Sequence, residues 1–114
     1  MADAVAALIN ILPAGPERDE LIASLENFQS YLQQHYGWWG YAYRVKAWLA
    51  TFRDDREGAI AALAEGIDHT LAYTRGIELD LILARWKDDP LFQEQGLRMR
   101  QIADNRRNEL EAGP

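Results

Sequence analysis

The sequence predicts an all-α fold built from antiparallel helical hairpins, with about six helices. Apolar residues recur at intervals of three and four along almost the whole chain, which is the spacing of one helix face. No segment alternates apolar and polar residues, and the chain has only three Thr and two Val, so it offers little material for strands. Turns of two to five residues between the predicted helices favour antiparallel neighbours.

The first two predicted helices meet at a turn rich in proline and glycine. The first helix has its apolar positions at Val5, Leu8, Ile9 and Leu12. The turn residues are Pro13, Gly15 and Pro16, and the acidic residues that suit the next helix start are Glu17, Asp19 and Glu20. The second helix has its apolar stripe at Leu21, Ile22, Leu25, Phe28, Tyr31, Leu32 and either His35 or Tyr36. Gly37 is placed to end it.

The third and fourth helices form the next predicted hairpin. The third covers residues 38–52, and the residues expected on one side are Tyr41, Val45, Trp48 and Phe52. Asp54 and Asp55 supply a turn and an N-cap before the fourth helix. Its apolar face consists of Ala59, Ile60, Leu63, Ile67 and Leu71.

Two further helices complete the prediction. Gly76 precedes a short fifth helix with apolar residues at Ile77, Leu81, Ile82 and Trp86. The tripeptide at 88–90, Asp-Asp-Pro, has the pattern of a cap followed by proline at the first helical position. The last helix aligns Phe92, Met99, Ile102, Arg106 and Leu110.

Length and composition restrict the class of protein. The 114 residues fit one domain, 1–114, divided into a first helical pair (1–37), a central hairpin (38–75) and a terminal hairpin (76–111). The absence of Cys excludes disulfides, thiol nucleophiles and Cys-ligated metals. A net charge of −6 argues against nucleic acid or an anionic membrane as the main partner. No segment approaches the roughly 18 apolar residues of a membrane span or has a signal-peptide pattern, so a cytoplasmic location is expected.

The stretch AWLATFRDDREGAIAAL at residues 47–63 resembles a tetratricopeptide repeat. In that family two antiparallel helices cross at small residues, and Ala47 and Ala50 match those positions. Ala59 and Ile60 match the small and apolar residues that follow the turn. Asp54 lies at a turn position that the family often gives to Gly, and Asp tolerates it because its side chain bonds locally.

A second stretch, RWKDDPLFQ at residues 85–93, looks like the D-P-x-F helix start that closes many bacterial arrays of such repeats. Those arrays are similar to ones fused to winged-helix transcription regulators and nucleotide cyclases. The resemblance covers about residues 38–110 and includes a final helix that carries several arginines, Arg98, Arg100, Arg106 and Arg107. It implies a right-handed array acting as a non-catalytic interaction or scaffolding module in a bacterial signalling or transcription-regulatory protein.

An aromatic cluster is the strongest local feature of the sequence. Six large aromatic residues fall within thirteen positions: Tyr36, Trp38, Trp39, Tyr41, Tyr43 and Trp48. They form a binding face on one interpretation, since Trp and Tyr are enriched at binding hot spots. On the other, the residues at 41, 45, 48 and 52 belong to the core and the remaining aromatic residues cover a hairpin junction.

The third helix also carries basic residues without an acidic one. In the tetratricopeptide arrangement the first helix of each hairpin lines a concave groove, which implies that Tyr41, Arg44 and Trp48 bind a partner with Trp38 and Trp39 at the rim. A basic and aromatic groove would suit an acidic peptide or a C-terminal carboxylate. The alternative is a solvated face whose charge is offset by Asp and Glu of adjoining helices.

Signals for catalysis or metal binding are weak. His35 and His69 give no local ligand pair, and the Asp pairs at 54–55 and 88–89 fit helix caps. Neither Ser24 nor Ser30 lies in a nucleophile elbow. We therefore expect no enzyme, no metal and no cofactor, and a protein or peptide as partner. The alternative function is a self-contained helical bundle that forms a homodimer through its aromatic face.

Overall fold

The computed structural model describes residues 2–37, 39–69 and 80–113, and it confirms the all-α class. Within these ranges the chain forms five α-helices and no strand. The α-helices are α1 (Ala2–Ile11), α2 (Pro16–Tyr36), α3 (Gly40–Phe52), α4 (Arg56–Ile67) and α5 (Pro90–Ala112). A short 3-10 helix, Leu83–Trp86, precedes α5.

The predicted caps account for several helix ends. Pro16 begins α2; Gly37 follows its last residue, but with φ −62° it does not adopt the left-handed conformation of a glycine cap. A carboxylate oxygen of Asp55 accepts a hydrogen bond from the Gly58 amide at 2.9 Å and caps α4. Asp89 does the same for α5 through the Leu91 amide at 2.9 Å, with Pro90 at the first helical position.

Two of the predicted helices differ from what the structure shows. Helix α3 begins at Gly40 rather than at residue 38, because Trp39 has an extended backbone with φ −91° and ψ 122°. The predicted fifth helix is not confirmed: residues 80–86 form a turn and the 3-10 helix. The Asp80 carboxylate accepts hydrogen bonds from the Ile82 and Leu83 amides at 2.9 and 3.0 Å, which holds this tighter turn. Leu71, Gly76 and Ile77 lie outside the described residues.

Helix α3 lies at the centre of the described structure. It packs against α2 and α4, and α1 and the 3-10 helix also contact it. It is therefore buried around most of its circumference rather than on one side, and its buried residues are Gly40, Ala42, Tyr43, Val45, Ala47, Trp48, Leu49, Thr51 and Phe52. Tyr41, which was expected on the buried side, is only half-buried.

In the outer helices α2 and α5, fewer residues of the predicted apolar stripes are buried than expected. In α2 only Leu25 and Leu32 are buried, and Phe28 remains exposed. In α5, Phe92 and Met99 are buried, whereas Leu110 is 70% exposed. No helix among the described residues is both long enough and apolar enough to span a bilayer.

Candidate partner-binding groove

An open groove of about 560 Å³ lies between α1, α3 and residues 80–82, and we call it the α1–α3 groove. Its walls include Asp3, Ile11, Tyr41, Arg44, Trp48 and Leu81. The spacing of 41, 44 and 48 places these three residues on one face of α3. Three of the five residues predicted to bind a partner therefore line one cavity.

The Asp80 carboxylate, which is not among the site residues predicted from the sequence, also lines the groove. Asp80 is 6% exposed, and one of its oxygens accepts hydrogen bonds from Arg44 Nε at 2.9 Å and from Trp48 Nε1 at 2.8 Å. Its other oxygen accepts from the backbone amides of Ile82 and Leu83. The Arg44 guanidinium also lies over the Trp48 ring, 6.0 Å from its centroid. Arg44 is thus paired with a carboxylate of its own chain, and its side chain is mostly covered rather than solvated.

A second carboxylate lies at the rim of the groove. The Tyr41 hydroxyl donates a hydrogen bond to Asp3 Oδ1 at 2.7 Å. Burial raises the pKa of Tyr41 well above its ordinary value, and the hydrogen bond to Asp3 raises it further. Tyr41 therefore remains a protonated donor at neutral pH and holds the Asp3 carboxylate in place.

Apolar side chains project beside these polar groups. Ile11 is 77% exposed and Leu81 is 85% exposed, and they stand on α1 and on the segment before the 3-10 helix. Neither residue is among the site residues predicted from the sequence. The sequence does contain one sign that Ile11 is exposed. Ile11 is not part of the apolar stripe predicted for its helix, so it is not expected to be buried in the core.

A row of aromatic rings runs from the end of α2 into the groove. Ring centroids are 6.2 Å apart between Tyr31 and Tyr36, 6.4 Å between Tyr36 and Trp39, and 5.0 Å between Trp39 and Tyr41. Tyr41 then meets Trp48 edge to face at 6.1 Å. Tyr31, Tyr36 and Trp39 are exposed, so this aromatic row is a surface that ends in a buried ring.

The other two members of the aromatic cluster have different positions. Trp38 lies outside the described residues, so its predicted rim position stays a prediction. Tyr43 is buried, and its hydroxyl donates to the Gly37 carbonyl at 2.9 Å. The Tyr43 ring stacks on His69, two residues after the end of α4, with centroids 4.9 Å apart.

The remaining candidate groups are dispersed. Among the described residues no three His, Asp or Glu side chains converge as a metal site would require. His35 packs against Tyr31 with ring centroids 4.6 Å apart. Asp55 and Asp89 cap helices, and Asp54 forms an ion pair with Arg85.

Neither a family model, nor a curated protein, nor a solved structure matches the chain.

Proposed function

We propose that the chain is a non-catalytic protein-interaction module whose partner binds in the α1–α3 groove. The observation that carries the proposal is the exposure of Ile11 and Leu81 beside an open cavity walled by Tyr41 and Trp48. Large apolar side chains around a concave site are typical of interaction surfaces, because a partner removes them from water. Aromatic residues in such a site supply contact area at little entropic cost.

The tetratricopeptide-like architecture is part of this proposal. It is supported by the α3–α4 hairpin, in which residues 53–55 form the turn and Asp54 has φ 58°. Ala47 and Ala59, matched above to small positions of the repeat, are fully buried. In this arrangement α5 would close a right-handed array with its polar outer surface, in a cytoplasmic bacterial regulatory protein.

The expected preference for an acidic partner stays a prediction, and the contacts of Arg44 give it no support. The Arg44 guanidinium faces the buried Asp80 carboxylate and the Trp48 ring. An incoming carboxylate would have to compete with an existing charged hydrogen bond.

A peptide selection tests the groove without knowledge of the natural partner. Random dodecapeptides displayed on phage are selected on the full chain, and their affinities are measured by fluorescence polarisation. Ile11→Glu and Leu81→Glu are expected to weaken binding by about tenfold or more, the size of a lost hot-spot contact. Leu110→Glu is the matched control, since Leu110 is 70% exposed at the distal part of α5. Equal binding to all three variants would contradict the proposal.

The alternative, a homodimer, is favoured by the aromatic row. Tyr31, Tyr36 and Trp39 are exposed and adjacent, and a second copy could cover them. The solution mass separates the two functions, because a surface that the chain itself satisfies would give a mass that depends on concentration.

A further inference from the structure

We infer that the segment that binds the α1–α3 groove carries a Lys or Arg side chain that docks on Asp3 and Tyr41. This inference rests on the proposed function, and it gives the partner a basic rather than an acidic character.

The first observation is the state of Asp3. Its side chain is exposed at the groove rim, and the Tyr41 hydroxyl fixes it at 2.7 Å. Among the described residues no Lys, Arg or His forms an ion pair with Asp3. The carboxylate is therefore held in position by a neutral donor, which is the arrangement that a cationic group can use.

The second observation is the charge balance of the groove. Among the described residues that line the groove, Arg44 and Asp80 face each other across 2.9 Å and offset one another, so the net charge of these lining residues is the negative charge of Asp3. The whole chain carries a net charge of −6, which steers cationic segments toward it and acidic ones away. An acidic segment in this groove would meet the Asp3 carboxylate, which has no cationic partner within residues 2–37, 39–69 and 80–113.

The third observation is the aromatic wall beside the carboxylate. The Tyr41 ring, whose hydroxyl holds Asp3, lies 5.0 Å from the ring of the exposed Trp39. A guanidinium or ammonium group at this place would contact a ring face and a carboxylate together, and both contacts favour a cation. Ile11 and Leu81 would meet the apolar part of the same segment.

The test uses the peptides selected above on the full chain. Asp3→Asn removes the charge but keeps an oxygen that can accept from Tyr41, and Glu94→Gln is the control because Glu94 is exposed on α5, away from the groove walls. Groove-dependent peptides, defined as those that Leu81→Glu weakens, are expected to contain Lys or Arg. Asp3→Asn is expected to weaken them about two- to fivefold, the range for an exposed ion pair. Replacing the peptide's Lys or Arg with Gln should weaken its binding to the natural chain by the same factor. The same replacement should not change its binding to the Asp3→Asn variant.

Two results would overturn the inference, and they are distinguishable. Groove-dependent peptides that bind Asp3→Asn as tightly as the natural chain, or that are acidic, would overturn the cationic partner and leave the groove in place. A selection that yields no peptide weakened by Leu81→Glu would overturn the proposed function and this inference with it. Unchanged thermal melting of Asp3→Asn verifies that the variant is folded.

Discussion

At the scale of single residues, Asp80 connects the groove floor to the helix beneath it. Its carboxylate accepts from Arg44, from the Trp48 indole and from two backbone amides. The Arg44 side chain is mostly covered, so removing the carboxylate would take a charged partner from Arg44 and the acceptor from the Trp48 indole N–H in a poorly hydrated place.

Asp80→Ala is therefore expected to lower the free energy of unfolding by about 3 kcal/mol, the cost of breaking one side of a buried ion pair. Asp88→Ala is the control, since Asp88 is exposed and a surface substitution of this kind changes stability by about 0.5 kcal/mol or less. Urea unfolding followed by Trp fluorescence measures both. An Asp80→Ala protein as stable as the control would show that these contacts contribute little.

The positions of the site residues show which signals are local. The grouping of Tyr41, Arg44 and Trp48 on one face follows from helical spacing alone, so the sequence could predict it. The pairing of Arg44 with Asp80 joins residues 36 positions apart, and no local pattern encodes it. The exposure of Leu81 depends on the turn that Asp80 holds, and residues 80–86 form this turn and the 3-10 helix in place of the α-helix predicted there.

At the scale of elements, the α3–α4 hairpin depends on a left-handed residue. Asp54 has φ 58°, and it is the one non-glycine residue with positive φ among the described ranges. The sequence resemblance already placed Asp54 at a position often given to Gly. The left-handed conformation costs an L-residue about 1–2 kcal/mol, and Asp and Gly tolerate it better than other residues.

Asp54→Ala is expected to be less stable than Asp54→Gly by about 1 kcal/mol. Alanine has a Cβ, which disfavours positive φ, and it lacks a polar group that could bond locally, whereas glycine has no Cβ. Both variants lose the exposed ion pair with Arg85, so comparing them isolates the backbone effect. Chemical denaturation of the two proteins measures it. An alanine variant at least as stable as the glycine variant would contradict a strained turn.

An ion pair links the start of α4 to the start of α5. Arg56 donates to both carboxylate oxygens of Asp89, with Nη2 at 3.0 Å from Oδ1. This hydrogen bonding lowers the pKa of Asp89 against the opposing effect of desolvation, and the Leu91 and Phe92 amides lower it further. The folded chain therefore releases the Asp89 proton more readily than the unfolded chain does.

The stabilisation by Asp89 is expected to be present above the unfolded pKa of about 3.9 and to be lost as the pH falls through the lower folded value. Asp89→Asn keeps a capping side chain without the charge. The difference in unfolding free energy between the natural chain and this variant should favour the natural chain at pH 6 and shrink below pH 4 or so. In an Arg56→Gln background the pH dependence of this difference should decrease. A difference that is constant from pH 6 to pH 3 would contradict the pair.

At the scale of the whole molecule, the described structure is elongated. Its principal extents are 55 × 33 × 21 Å, and its radius of gyration of 15.0 Å exceeds the roughly 13 Å of a compact domain of this length. Residues 103–112 of α5 are all exposed, so this end extends beyond the packed body. An elongated helical body with an open side groove offers more surface to a partner than a compact bundle of the same length.

The fold class could be predicted because helical periodicity and caps are local signals. How deeply each helix is buried could not be predicted from the sequence, because it depends on which other helices surround it. Helix α3 is enclosed by α1, α2, α4 and the 3-10 helix, so even its off-stripe residues Ala42 and Leu49 are buried. Helix α2 has fewer neighbours, and its stripe residues Phe28 and Tyr31 remain exposed.

The central claim is that the α1–α3 groove stays open in the free protein and is reserved for another protein. Light scattering coupled to size exclusion, over a tenfold range of concentration, tests it most directly. The account predicts a constant mass of 13.0 kDa for the natural chain. A mass that rises with concentration toward about twice this value, and that Leu81→Glu returns to the monomer, would show that a second copy fills the groove and would contradict the account.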